Sequence, residues 1–200
     1  MDNYTLGIIW SIGSFQDNRF IFRHRNKYFL EQIQKYCNNN IYVQQGRTDI
    51  QYVLKTTSFT PSDFEGWTER NSEQRNIPIL DDYKDFLRAY FEIHSCLDYC
   101  TAYSNYGRKN QKKYYKLRLR IYGNYILIQS INNILKQECK VNNKKVQHVN
   151  INDKTTYLQY TFSKELTIIF NWLTGEPYCK KYWQDIDSKL KEPIKYIRNE

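Results

Sequence analysis

Residues 3–12, NYTLGIIWSI, and residues 83–94, YKDFLRAYFEIH, decide how this 200-residue chain is organised. Both are apolar-rich and helical in spacing, and each is followed by short alternating runs rather than by another helix. Behind the first come SFQDN and RFIFRHR, a helical KYFLEQIQKYC, the strand-like NIYVQQ and IQYVLKTT, and a third helix opened by Thr60, Pro61, Ser62 and Asp63. Behind the second come CLDYCTAY, the basic turn SNYGRKNQKK, the strand YYKLRLRIY, a helical NYILIQSINNILKQEC, the strand-like KKVQHVNIN and TTYLQYTF, and a helical KELTIIFNWL. Both halves read αββαββα, offset by 82 residues from Gly13 to Ser95.

The expected organisation is a first repeat over 1–82, a second over 83–174, and a charged helical extension over 175–200 that follows the stop signal Gly175-Glu176-Pro177. The connector SEQRNIPILDD (72–82) is polar around a central Ile-Pro-Ile and reads as a short ordered link. The fold class is α+β, with two pseudo-symmetric units. In each, helices cover one face of an antiparallel sheet and leave the other open, and the open face is where function would sit.

Composition narrows the classes. With 19 Tyr, 10 Phe and 40% hydrophobic residues, the chain carries too much apolar mass to remain disordered. No run approaches the roughly 20 apolar residues of a membrane span, and MDNYTLGIIW lacks signal-peptide features, so the expectation is a cytoplasmic, nucleoid-associated protein without a membrane partner. The cysteines (37, 96, 100, 139 and 179) form no CxxC pair and read as reduced thiols, mostly buried. No cofactor or resident metal is expected. The net charge of +9 divides unevenly: residues 1–82 hold 9 Lys and Arg against 10 Asp and Glu, whereas residues 83–200 hold 21 against 11. A surplus concentrated in one region points to a polyanionic partner, because neutralising phosphates releases counterions.

The leading helices carry LxGxxxxxG-like spacing, and here the chain resembles the single-chain LAGLIDADG homing endonucleases. TLGIIWSIG (5–13) aligns with their nine-residue motif, with Gly7 and Gly13 at its glycines, and LRAYFEIHS (87–95) aligns with Ala89 and Ser95 there. GWTERNSEQRNIPILDDYKDFLRAYFE, LRLRIYG and FNWLTGEPYCKKY resemble flanking segments, so the likeness spans nearly the whole chain. It implies two saddle-shaped sheets along a DNA major groove, a monomer with internal pseudo-twofold symmetry, and a close pair of motif helices. Small residues four apart, Gly7 and Ser11, suit such a pair; Ile93, four beyond Ala89, is larger than the family expects and implies a wider or shifted crossing.

In active members the eighth motif residue is acidic, and the two copies hold divalent metal ions, which take hard oxygen ligands. The matching positions here are Ile12 and His94. Isoleucine has no ligand atom, and imidazole suits zinc or copper better than magnesium. The sixth positions are Trp10 and Glu92, so one carboxylate survives, with Asp17 and Asp98 in the strands that follow. The expectation is therefore a non-enzymatic pseudoenzyme whose vestigial positions are Ile12, Glu92 and His94. The alternatives are a residual metal-dependent endonuclease or nickase using Glu92 with Asp98 or Asp17, or an RNA-binding intron maturase.

The basic strand is better marked. In YKLRLRIY (115–122), Lys116, Arg118, Arg120 and Tyr122 alternate with Tyr115, Leu117, Leu119 and Ile121, the period of a half-buried strand. Arg108, Lys109, Lys112 and Lys113 precede it, and residues 103–122 hold seven cations and no acid. Lighter candidates are Arg19, Arg23, Arg25, Gln44 and Lys55 in the first half and Gln147 and Gln159 in the second. Arg and Gln are the side chains that pair bidentately with guanine and adenine. Tyr99, Tyr103, Tyr157 and Tyr160 are candidates for base stacking, although alternating Tyr is more often packing. The reading is a sequence-specific double-stranded DNA-binding protein, a transcriptional regulator derived from a homing endonuclease. The resemblance implies this role as one outcome, since the family includes regulators that carry a degenerate LAGLIDADG domain.

Overall fold

The computed structural model describes residues 1–46, 49–69, 72–104, 111–149 and 154–196. Helix α1 (Asn3–Ile12) starts where the Asp2 carboxylate accepts from the Thr5 N–H at 2.7 Å, and it ends at Gly13, whose N–H donates to Ile9 O. Eight of its ten residues are buried, so it is a central helix rather than an amphipathic surface one. Helix α3 (Lys84–His94) is buried from Phe86 to Glu92. The two lie against each other with almost no side chain between them at one point. A methyl group on Gly7 would stand 2.5 Å from Phe86 O and 2.9 Å from the Ala89 Cβ. The expected widening at Ile93 is not found at this contact: Ile93 is only half-buried, and the approach is set by Gly7 against Phe86 and Ala89.

From this pair the chain unrolls twice. The first unit contains β1 (Gly13–Gln16), β2 (Arg19–His24), α2 (Lys27–Gln34), β3 (Tyr42–Gln45) and β4 (Ile50–Thr56), in an antiparallel sheet of order β1-β2-β4-β3. The second contains β5 (Ser95–Ser104), β6 (Lys112–Gly123), α4 (Tyr125–Cys139), β7 (Gln147–His148), β8 (Thr156–Tyr160) and α5 (Ser163–Leu173), with order β5-β6-β8-β7. Period-two alternation gives each sheet a helix-covered face. Phe20, Phe22 and Leu54 point into the core from the first, and Leu117, Leu119, Ile121, Leu158 and Tyr160 from the second. The α+β architecture with two repeated, sheet-forming units is as the sequence indicated.

Two elements differ from the sequence reading. The third helix of the first repeat is only a 3-10 turn over Pro61–Asp63. Thr60 and Asp63 satisfy each other's backbone and side-chain groups there, closing the turn locally. The segment after Gly175 forms helix α6 (Lys180–Leu190) and then strand β9 (Ile194–Tyr196), which pairs antiparallel with residues 114–116 of β6. Trp183 and Ile186 of α6 are buried in the common core, so this stretch is part of the second unit's packing.

The connector is stitched down as well. Buried Arg75 donates to Thr68 O at 2.7 Å and to Trp10 O, while Asn124 donates from its side-chain amide to Ser72 O and Arg75 O at 2.8 and 2.9 Å. Arg88, fully buried on α3, donates to Leu173 O, Glu176 O and Pro177 O and so ties the turn after α5 to the central helix.

The close approach generates a stability prediction. Gly7→Ala places a methyl inside contact distance of a backbone oxygen that cannot move alone, so it should destabilise the fold by about 1–3 kcal/mol despite alanine's better helix propensity. Chemical denaturation checks this; unchanged or increased stability would show that the helices part at no cost.

Candidate nucleic-acid interface

Register fixes which side chains share the faces that the helices leave uncovered. In the first sheet, Arg19, Ile21 and Arg23 of β2 pair with Gln16, Ser14, Lys55 and Val53 on neighbouring strands, and Tyr42 and Gln44 of β3 continue the row opposite Val53 and Gln51. Arg19, Arg23, Lys55 and Gln44 thus lie on one face; the alternation of the sequence implied this for the two arginines. Ile21 and Val53 are buried within that same face, which divides its polar residues into two groups. Arg25 lies just past the end of β2 and forms an ion pair with Asp49. Lys55 stands 5.6 Å from the Tyr42 ring centroid.

In the second sheet, Lys112, Lys116, Arg118 and Arg120 alternate along β6 with buried Leu117, Leu119 and Ile121. Gln159 is opposite Arg120, and Tyr157 lies between Tyr122 and Gln147, with its hydroxyl donating to the Gln147 side chain at 2.8 Å. Lys113 has the other parity and sits over the Tyr115 ring at 5.9 Å, so it does not belong to the open face. Tyr115, of the same parity as buried Leu117, is exposed. Arg108 and Lys109 lie outside the described residues. Of the candidate stacking residues, Tyr157 is on the open face, where its ring is 5.8 Å from that of Tyr122. Tyr160 is a core residue, and Tyr99 has its hydroxyl bonded to Glu192 O on the covered side.

Cationic β6 does not stand alone. Asp98 of β5, directly opposite Arg118, accepts from Arg118 Nε and Nη2 at 2.9 and 2.8 Å and from Arg120 Nη2 at 2.7 Å. Partial burial pushes the Asp98 carboxyl up, but the hydrogen bonds and charges of the two arginines outweigh this and hold it below the usual range. This three-residue cluster is what the sequence analysis missed. The i, i+2 arginines were visible, but their partner sits twenty residues upstream, and only the hairpin register brings it across.

At the ends of the motif helices the chemistry is that of capping. Ile12 is buried, and a His94 ring nitrogen lies 3.1 Å from Ser11 O. Arg75 takes the neighbouring Trp10 O, so side chains from outside α1 occupy two carbonyls of its last turn. Glu92 faces inward. It receives the Tyr4 hydroxyl on one oxygen and the Trp183 indole N–H at 2.6 Å on the other. Burial raises its pKa, against the opposing effect of those two donors. Glu92 and Asp98 are each engaged with partners of their own, and Asp17 lies in the exposed β1–β2 turn near Arg19. No group of three or more His, Cys, Asp or Glu residues that could hold a metal ion occurs among the described residues, and no helix there is long and apolar enough to cross a membrane.

No family model and no curated protein matches the chain. Solved structures do. The fold superposes on the I-LtrWI LAGLIDADG homing endonuclease bound to target DNA with a TM-score of 0.63 at 11% identity, covering 94% of this chain and 89% of that one. The LAGLIDADG meganuclease I-AabMI, bound to uncleaved DNA, gives 0.62 at 13% identity, with coverages of 96% and 91%. The N-terminal LAGLIDADG domain of DUF199/WhiA gives 0.54 at 13% identity, with coverages of 92% and 85%. These likenesses establish the LAGLIDADG fold.

Glu92 leads to a pH prediction. Because its folded-state pKa is raised, the native state holds this proton to higher pH than the unfolded chain does. The group's contribution to stability is therefore greatest below the ordinary carboxylate value. It declines as pH rises through that value and levels off above the raised one. Urea unfolding from about pH 4 to about pH 8 should show this decline in the wild type minus Glu92→Gln difference. Trp183→Phe, which removes a donor to a buried carboxylate, should cost about 1.5–3 kcal/mol at neutral pH. A flat difference curve would mean that Glu92 is not shielded as the geometry shows.

Proposed function

We propose that this chain binds double-stranded DNA at a defined sequence, through the open faces of both sheets, and does not cut it, serving as a transcriptional regulator. The observation that carries the reading is the grouping, by strand register, of Arg19, Arg23, Lys55 and Gln44 on one face and Lys112, Lys116, Arg118, Arg120, Gln147 and Gln159 on the other. Arginine and glutamine forks suit base edges, while lysines suit phosphates. The charge surplus of residues 83–200 supplies the sequence-independent share of affinity. Structures of this fold solved with DNA bound support the same use of the surface here.

Absence of cleavage is part of the proposal. It is supported by an apolar, buried Ile12, by a His94 turned to Ser11 O, and by a Glu92 whose two oxygens both accept hydrogen bonds inside the core. A hydrolytic metal site needs carboxylate oxygens free to face the scissile phosphate. Both motif copies lie in one chain, so we propose a monomer that completes its two-sheet surface without a partner.

The test is to incubate the purified protein with sheared genomic DNA and Mg²⁺, recover the retained fragments, and sequence them together with their ends. Enrichment of a common site left intact is expected. Ends clustered inside that site would overturn the non-cleaving assignment, and the lack of any enriched sequence would overturn site-specific binding.

A further inference from the structure

We infer that Asp98 is a positioning residue for base readout: it holds Arg118 and Arg120 so that they present fixed donor forks to the DNA, exchanging raw affinity for discrimination. This rests on the DNA-binding reading above and names which part of the surface sets its specificity.

The stereochemistry is specific. A guanidinium has two edges that can donate bidentately, one formed by Nε and Nη2 and one by Nη1 and Nη2. Asp98 occupies the first edge of Arg118, through Nε to Oδ1 and Nη2 to Oδ2. The edge left over is the end-on fork that meets the O6 and N7 of guanine. Arg120 is fixed from two directions, by Nη2 on the same Oδ2 and by its guanidinium lying 5.6 Å from the Tyr122 ring centroid. Its Nε has no hydrogen-bond partner among the described residues. Gln159 stands opposite Arg120 on β8, so the fork-bearing side chains are adjacent on one strand pair. The arginine side chains are 24% and 26% exposed, so each keeps some surface open to solvent, although Arg120 Nε itself is buried.

A carboxylate on a surface that meets phosphates is otherwise a liability. It repels the backbone and neutralises charge that counterion release would use. Its presence between two arginines is explained if direction matters more than strength. A long, unrestrained arginine can turn to any nearby phosphate, whereas a held one rewards only the base placed before its fork.

The experiment compares wild type, Asp98→Ala and Asp98→Asn on two duplexes, the site enriched from genomic DNA and a shuffled control, over a salt series. In Asp98→Ala, affinity for the control should rise, and its log affinity against log salt should steepen by about 1–2 as freed guanidiniums reach phosphates. The ratio of site to control affinity should fall by about 10- to 100-fold, as expected when the readout of one or two arginines is lost. Asp98→Asn keeps one acceptor oxygen and should fall between the two. It also decides the matter if the alanine variant loses its cooperative melting transition. An unchanged ratio in a folded variant, or equal weakening on both duplexes, would overturn the inference. If the wild type itself prefers no duplex, the DNA-binding reading fails first and the inference falls with it.

Discussion

The contact of Gly7 with Phe86 and Ala89 is the constraint to which the rest of the molecule is referred. Two buried helices can lie this close only if one of them presents no side chain at the crossing, and α1 does so where a methyl would strike Phe86 O. Each helix leads directly into the first strand of its own sheet, Ile12 into Gly13 and His94 into Ser95. The distance and angle between the helices therefore fix where the two sheets start, and hence how their open faces are disposed. The contact is reinforced by groups that cross it: His94 to Ser11 O, and Tyr4 to the Glu92 carboxylate. Any surface assembled from both sheets depends on those few atoms.

Polar side chains at this seam serve cohesion. The two carbonyls of the last turn of α1 are taken by His94 and Arg75, and the carboxylate of Glu92 joins α1, α3 and α6 through two donors. A buried carboxylate is tolerable only when its oxygens are satisfied, and the pairing of a phenol with an indole does this without a counter-charge in direct contact. The arrangement also explains why α6 is integral: Trp183 fills a place against Phe170 at a ring separation of 6.0 Å and supplies one of the two donors. What α6 brings to the core, β9 brings to the sheet, by pairing with the stretch of β6 beyond the reach of β8.

Much of this was legible in the sequence, and the reasons for the remainder are physical. Period-two alternation located β6 and its charged face because a half-buried strand must alternate, and the two leading helices stood out because each apolar-rich helical stretch is followed by short alternating runs. The shared face of Arg19 and Arg23 followed from the same parity. Long-range pairing was not legible. Nothing near Glu92 in sequence announces Trp183, 91 residues away, and nothing near Asp98 announces that a hairpin register sets it between two arginines. Thr60-Pro61-Ser62-Asp63 has the chemistry of a helix start, but that chemistry stabilises a closed turn equally well, and no amphipathic stretch follows to propagate it. Strand β9 is three residues long, and its existence depends on an edge that only the folded β6 provides.

The two halves share a fold but not a charge, and the difference bears on how the proposed DNA complex would be built. The first sheet's face is interrupted by Ile21 and Val53, and Arg25 is paired with Asp49, so few of its cations are unopposed. The second sheet carries Lys112, Lys116, Arg118 and Arg120 on its open face, with Tyr114 between the lysines, yet its two arginines are tied to Asp98. Lys112 and Lys116 at the outer end of β6, which form no ion pair among the described residues, are suited to phosphates, and the held arginines nearer the helix pair are suited to bases. Affinity and discrimination would then come from different stretches of one strand, separated along its length. That division requires β6 to be long, and β9 is what supports its outer part with a second neighbour.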